Sequence, residues 1–287
     1  MGKLYTGLFS YRFFLILSLL AFWNPQELAA QQDFERELAE ARMVFHRTYY
    51  EKASVLFEEL THNHQNKALA HAYMALVEFV LFRDPSIHLE KALTLTQETD
   101  ADHAIILALC NFASGDLFGC ESNVKDYLKA DSTDIFGTHL LGMILVAQNK
   151  SDEAKIILQK LIAQQGDYYP AYNHLGYAYL RLGHTSEALK TFYSFQKKDS
   201  LNPSAYDSVA ECLFEMGKND EAISSLRKAV SLEPYFAYGW EHMGDMYLQM
   251  GKTEEAIAAF IEGQKAAKYY GEDFVYSLEQ KIQDLKN

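Results

Sequence analysis

A motif with glycine, glutamate and alanine at fixed places returns at a constant interval in the C-terminal half of the chain. It is seen in LGHTSEAL (182–189), MGKNDEAI (216–223) and MGKTEEAI (250–257). Each glycine follows one apolar segment with helical spacing and precedes another, so each marks the turn of a helical hairpin. Asn149 lies one such interval before the first of these glycines and can adopt the same left-handed conformation. The sequence therefore predicts a stack of helical hairpins.

Small residues keep the same interval at the positions where the two helices of a hairpin should approach closely. We expect the second helices to place Ala154, Ala188, Ala222 and Ala256 opposite Gly142, Gly176, Ala210 and Gly244 of the first helices. Aromatic residues such as Tyr172, Tyr206 and Trp240 also recur at this interval. Side chains that repeat with the structural unit at helical spacing are typical of a core, so we assign them to packing rather than to a ligand site.

These residues resemble the tetratricopeptide repeat, whose pattern over about 34 residues is W-x2-L-G-x2-Y, then A-x3-F, then P. WEHMGDMY (240–247) with Ala256 and Phe260 matches nearly every place, and YNHLGYAY (172–179) matches almost as well. The resemblance implies an all-α fold, a right-handed α-solenoid of helix-turn-helix repeats. It also implies that the concave surface, formed by successive first helices, binds other proteins.

The strength of the resemblance divides the chain into segments. Residues 135–268 hold four specific repeats, whereas residues 31–134 keep the helical spacing with weaker matches and predict divergent repeats of the same type. Residues 269–287 contain a last helix, predicted over 272–286, with apolar residues on one side and polar residues elsewhere. A helix of this kind is typical of the cap that closes the exposed end of a solenoid.

The first thirty residues have the features of a secretory signal peptide. Lys3 and Arg12 precede FFLILSLLAFW (13–23), an apolar run that is shorter than the roughly 20 residues needed to span a bilayer. Small residues follow, as signal peptidase requires, and predict cleavage after Ala30. We therefore expect a periplasmic or secreted protein without an integral membrane span after cleavage. An uncleaved membrane anchor remains the alternative.

Composition limits the classes of partner. The 287 residues carry a formal net charge of −13, which repels phosphate backbones, disfavours nucleic acid and favours basic partners. Three cysteines are too few for a disulfide scaffold. We expect buried thiols, although Cys110 and Cys120 lie close enough in sequence to leave a disulfide between them open.

Motifs for catalysis are missing from the sequence. It contains no H-E-x-x-H, nucleophile elbow, paired C-x-x-C or glycine-rich phosphate loop, so we expect neither an enzyme nor a cofactor. The interpretation is a non-catalytic interaction module or scaffold that binds a segment of a partner protein. The alternative is an accessory subunit of a secreted or periplasmic hydrolase or of an envelope assembly complex.

The repeat register predicts which residues line the concave groove. They are the first-helix residues that do not pack on the second helix: His139, Met143, Asn173, Tyr177, Arg181, Asp207, Glu211, Glu215, Glu241, Asp245 and Gln249. Five of them are carboxylates on two adjacent helices, where like charges four residues apart cost roughly 0.2–0.5 kcal/mol per pair. We therefore expect an acidic groove that captures a basic or amine-bearing segment. A well-solvated face on an acidic protein is the other interpretation.

Overall fold

The computed structural model describes residues 25–286, and these residues form fifteen helices and no strand. In chain order the helices are α1 (Pro25–His46), α2 (Tyr50–Asn63), α3 (Ala68–Val80), α4 (Ser86–Leu95), α5 (His103–Ala113), α6 (Leu117–Ala130), α7 (Ile135–Ala147), α8 (Ser151–Gln164), α9 (Pro170–Arg181), α10 (Thr185–Lys198), α11 (Pro203–Glu215), α12 (Asn219–Leu232), α13 (Ala237–Gln249), α14 (Thr253–Ala266) and α15 (Glu272–Lys286). The first fourteen form seven consecutive hairpins, and α15 packs against α14. The predicted all-helical solenoid is confirmed.

The predicted signal peptide falls mostly outside the described residues, which begin at residue 25. Residues 25–30 form the first turns of α1, and the first buried side chain of the described chain belongs to Phe34. Among the helices of residues 25–286, none has both the length and the apolar character needed to cross a membrane.

The turns of the later hairpins contain the residues that the constant interval singled out. Gly183, Gly217 and Gly251 have positive φ angles of 76°, 74° and 72°, and Asn149 has a φ of 61°. These left-handed residues end each first helix, as glycine and asparagine commonly do. The predicted turn positions are confirmed.

Close packing within the hairpins comes from glycine against a large side chain. A Cβ atom at Gly176 or Gly244 would collide with the ring of Phe192 or Phe260, respectively. The predicted alanines are fully buried, but the atoms nearest these glycines belong to the residue one turn further along the second helix. Helical side chains lean towards the N-terminus of their own helix, so the later, longer side chain covers the glycine.

The turn between α1 and α2 packs against residues far away in the sequence. The guanidinium of Arg47 donates two hydrogen bonds to the carboxylate of Asp199, with N···O distances of 2.8 and 3.1 Å. The side-chain amide of Asn202 donates to the carbonyl oxygen of Arg47 at 2.5 Å. The hydroxyl of Ser204 donates to the carbonyl oxygen of Thr48 at 3.2 Å. The first hairpin therefore contacts the beginning of α11.

The turn between α3 and α4 makes a similar contact with residues further along the solenoid. The backbone N–H of Gly271 donates to the carbonyl oxygen of Leu81 at 2.8 Å. The hydroxyl of Tyr238 donates to the carbonyl oxygen of Val80 at 3.1 Å. A side chain at residue 271 would overlap the carbonyl oxygen of Phe82, so glycine permits this close approach. The second hairpin therefore contacts the beginning of α13 and of α15.

The solenoid thus curves until its N-terminal hairpins contact its C-terminal ones. Two further contacts span the same gap: the hydroxyl of Tyr270 donates to Glu51 Oε1 at 2.6 Å, and Lys52 lies 3.2 Å from Glu233. All of these contacts involve turns or helix ends, as expected when curvature brings separate repeats together.

The three cysteines are free thiols, and all three are buried. Burial raises the pKa of Cys110 and of Cys212 to about 11, and it also raises the pKa of Cys120. The expected buried thiols are present, and the alternative disulfide between Cys110 and Cys120 is not formed.

Candidate partner-binding groove

The groove residues predicted from the sequence lie on the first helices α7, α9, α11 and α13, and their exposure differs along each helix. The buried members are His139, Met143, Asn173 and Asp207. The half-buried members are Tyr177, Glu211, Glu241 and Asp245. The exposed members are Arg181, Glu215 and Gln249. On α9, α11 and α13 the exposed residue is the last one of the helix, so the groove is open at the carboxyl ends of these helices.

The N-terminal hairpins account for the closed end of the groove. Their two turns contact Ser204, in the first turn of α11, and Tyr238, in the first turn of α13. On α11 this is the end at which the buried groove residue Asp207 lies. A partner therefore has access to the carboxyl ends of the first helices, whereas their amino ends face the chain's own turns.

Hydrogen bonds connect the groove residues of neighbouring first helices. The hydroxyl of Ser208 donates to Asn173 Oδ1 at 2.8 Å and lies 3.2 Å from the hydroxyl of Tyr177. His242 Nδ1 lies 2.7 Å from Asp207 Oδ1. These bonds fix the side chains of α9, α11 and α13 relative to one another.

A cation from the last helix enters the acidic cluster. Lys281 Nζ of α15 donates to Glu241 Oε1 and to both carboxylate oxygens of Asp245, at 2.9 Å each. Burial alone would lower the pKa of Lys281, but these hydrogen bonds raise it above its ordinary value. Lys281 therefore balances one of the two negative charges on α13 within the protein.

The carboxylates at the open end of α11 have no such partner. Neither Glu211 nor Glu215 forms a salt bridge with any residue between 25 and 286. Burial, together with the nearby charge of Asp207, raises the pKa of Glu211. Arg181 is hydrogen-bonded to Asn149 on the preceding turn, away from these carboxylates. Most of the unbalanced negative charge of the groove thus lies near the end of α11.

His139 joins the N-terminal hairpin to the groove instead of facing solvent. Its Nδ1 lies 2.9 Å from Nδ1 of His46 and 3.1 Å from the hydroxyl of Tyr168, and its Nε2 lies 2.9 Å from Nδ1 of His174. Burial lowers the pKa of His139 well below its ordinary value. Within the described residues, no group of three or more His, Cys, Asp or Glu side chains is arranged to hold a metal ion.

The sequence prediction missed three residues that determine the character of the groove: His46, His242 and Lys281. A signal existed for His242, which has the same place in its repeat as Ser208 has in the preceding one. Such a signal did not exist for His46 or Lys281. Each reaches the groove through the packing of a hairpin or cap whose position depends on the curvature of the whole solenoid.

The ion pair between His242 and Asp207 gives a direct test of this electrostatic description. The charge of Asp207 raises the pKa of His242 to about 9. The stability that the pair provides should be fully present below pH ~6.5 and should disappear as the pH rises through about 9, because neutral imidazole loses the attraction. We expect Asp207→Asn to return the pKa of His242 towards about 6.5. An NMR titration of the ring protons of His242 measures this pKa.

Glu254→Gln provides the control, since it removes a carboxylate from the exposed first turn of α14. It should leave the titration of His242 unchanged. A titration of His242 that is the same in the Asp207→Asn variant as in the parent would show that the pair does not form.

Comparisons with known proteins agree with the geometry. Family models described as tetratricopeptide repeats match residues 139–203, 203–236 and 237–270. No curated protein matches the chain.

A solved thermophilic TPR protein of Thermus thermophilus has a TM-score of 0.58 at 18% identity, with 64% of this chain and 100% of that chain covered. A solved tetratricopeptide repeat protein of Parabacteroides merdae has a TM-score of 0.60 at 13% identity, with 89% of this chain and 100% of that chain covered. At such identities the likeness shows the fold alone. Residues 139–270 therefore carry tetratricopeptide repeats within an all-helical solenoid.

Proposed function

We propose that the protein is a non-catalytic scaffold that binds a segment of a partner protein at the open end of its groove. Solenoids of this kind use the concave surface of successive repeats for binding. The side chains at the open end of α9, α11 and α13 are accessible and belong to neighbouring repeats. A single extended segment can therefore contact several of them at once.

The unpaired charge on α11 is the observation that carries this proposal. Glu211 and Glu215 have no salt-bridge partner within the described residues, whereas Asp207, Glu241 and Asp245 are paired with His242 or Lys281. The carboxyl ends of three helices lie at the same end of the groove and add partial negative charge through their dipoles. The open end therefore favours a cation.

The partner segment is basic or carries an amine, and it is short. It is short because the chain's own turns pack at the other end of the first helices. Met216 and Leu248 are 39% and 40% exposed beside the last residues of α11 and α13, so an apolar side chain next to the cation would also find a contact. The overall charge of −13 adds long-range attraction and speeds the encounter.

Neutralising the open end should weaken the binding of basic peptides. We expect Glu211→Gln with Glu215→Gln to reduce the affinity for a fluorescein-labelled, lysine-rich octapeptide by about threefold to thirtyfold, because each exposed ion pair contributes up to about 1 kcal/mol. The parent protein should also lose affinity as salt screens the charges. Fluorescence anisotropy at two salt concentrations measures both effects.

A matched control separates a site from general attraction to an acidic protein. Glu187→Gln with Glu221→Gln removes the same charge from the exposed first turns of α10 and α12, outside the groove, and should leave the affinity unchanged. Equal losses in the two double variants would favour a merely solvated acidic face. A stronger change, Glu211→Lys with Asp245→Lys, should abolish binding.

We further propose that the protein is exported to the periplasm or the cell exterior, with residues 1–30 removed as a signal peptide. The charged start and short apolar run support this proposal, as does the fact that Phe34 is the first buried side chain of the described fold. N-terminal sequencing of the protein from its native cell envelope or medium should find Gln31 first. Recovery of chains that retain Met1 would contradict the proposal.

A further inference from the structure

Three histidines, of which His46 and His139 are buried and His174 is half-buried, form a line between the first hairpin and two later repeats. His46 is the last residue of α1, His139 lies in α7 and His174 lies in α9. The nitrogen atoms of consecutive rings are 2.9 Å apart at both contacts, which is hydrogen-bonding distance. His46 and His139 are 2% and 0% exposed. The line therefore crosses the gap that the curvature of the solenoid closes.

The geometry of the line depends on neutral rings. Two ring nitrogens at this distance need one proton between them, so one donates and the other accepts. Beyond the three protons of the neutral rings, the line can accommodate one more at an outer nitrogen, Nε2 of His46 or of His174. A fifth proton would place two N–H groups against each other at one of the two contacts. His46 Nε2 is buried and has no hydrogen-bond partner, so a proton placed there would also lack an acceptor.

The backbone of Pro170 favours protonated rings of His139 and His174, but the charged side chains around the line do not favour a positive charge. Arg42 of α1 lies 3.7 Å from Asp134, at the beginning of α7, and its guanidinium stacks over the ring of Tyr73 of α3 at 5.4 Å. The hydroxyls of Tyr127, from α6, and Tyr168, which precedes α9, complete the surroundings. Asp134 is already paired with the arginine, and the buried arginine itself repels an imidazolium.

The pKa values agree with this geometry. Burial lowers the pKa of His46 and of His139 well below the ordinary value of 6.5, with a smaller contribution from Arg42 at His46. Burial lowers the pKa of His174 to about 4. The closed arrangement therefore binds fewer protons than an open arrangement in which these rings would meet water.

We propose that the His46–His139–His174 line is an acid-sensitive latch that holds the first hairpin against the later repeats near neutral pH and releases it in acid. The adjacent bonds from Arg47 to Asp199 and from Asn202 to Arg47 break on release. Opening uncovers the amino ends of α7, α9 and α11 and lengthens the groove available to a partner. The latch does not depend on which partner binds.

The direction of the pH effect follows from proton binding. A histidine whose pKa is lowered in the closed state favours closure above the pKa of the open state, about 6.5, and loses that contribution as the pH falls towards the closed-state value. The window therefore runs from about pH 6.5 down to about pH 4, the value for His174. Each proton taken up on opening lowers the ratio of closed to open molecules by about tenfold per pH unit.

Spin labels on the two sides of the gap can follow the opening. Cysteines for labelling replace Glu59 of α2 and Lys198 of α10, which are both exposed, while the native thiols are buried. Double electron–electron resonance should give one distance at pH 7.5 and a second, longer distance at pH 5. Circular dichroism should show the same helix content at both values.

Two histidine variants identify the group responsible. His46→Phe keeps an aromatic ring without a titrating nitrogen and should suppress the longer distance at pH 5. His88→Asn is the matched control, because His88 also contacts a histidine, His71 at 2.9 Å, but within the second hairpin. It should leave the pH response unchanged.

Three results would overturn the proposal: a single distance at both pH values in the parent, a longer distance that appears only together with loss of helix, or an unchanged response in a helical His46→Phe variant. The first two require no histidine variant, so the proposal can be rejected even if His46→Phe does not fold.

Discussion

Contact between a first-helix glycine and a large second-helix side chain sets the spacing of the hairpins on which the rest of the structure depends. At Gly176 and Gly244 the absent side chain makes room for the rings of Phe192 and Phe260. Gly142 against Leu158 in α7, and the small Ala210 at the same place in α11, continue this packing and align α7, α9, α11 and α13 as neighbours. Their groove side chains can then form bonds from helix to helix, such as the bond from Ser208 to Asn173.

Curvature, which accumulates from the small rotation between successive units, decides which part of this row a partner can reach. It brings the turn at Arg47 to the beginning of α11 and the turn at Leu81 to the beginning of α15. The amino ends of the later first helices are thereby covered, and the carboxyl ends remain open. Within the groove, the unpaired carboxylates are then Glu211 and Glu215, since α15 supplies Lys281 to the carboxylates of α13.

The sequence predicts the features that repeat with the structural unit and fails for those that depend on the whole solenoid. Gly183, Gly217, Gly251 and Asn149 could be assigned to turns because their interval is fixed, and the helix predicted over 272–286 has those bounds in the structure. The position of each groove residue on its helix followed from the same register. Their exposure did not, because contacts such as that of His46 with His139 join residues 93 positions apart and depend on a curvature that no local pattern encodes.

The packing of the N-terminal hairpins against the later repeats can be measured with a double-mutant cycle between Arg47 and Asp199. The two residues are 152 positions apart in the sequence, and their side chains form a two-bond ion pair. Unfolding free energies of the parent, Arg47→Ala, Asp199→Ala and the double variant should give a coupling energy of about 0.5–3 kcal/mol, as expected for residues in contact. Additive effects, within about 0.3–0.5 kcal/mol, would show that the two residues do not meet and would contradict the closed solenoid.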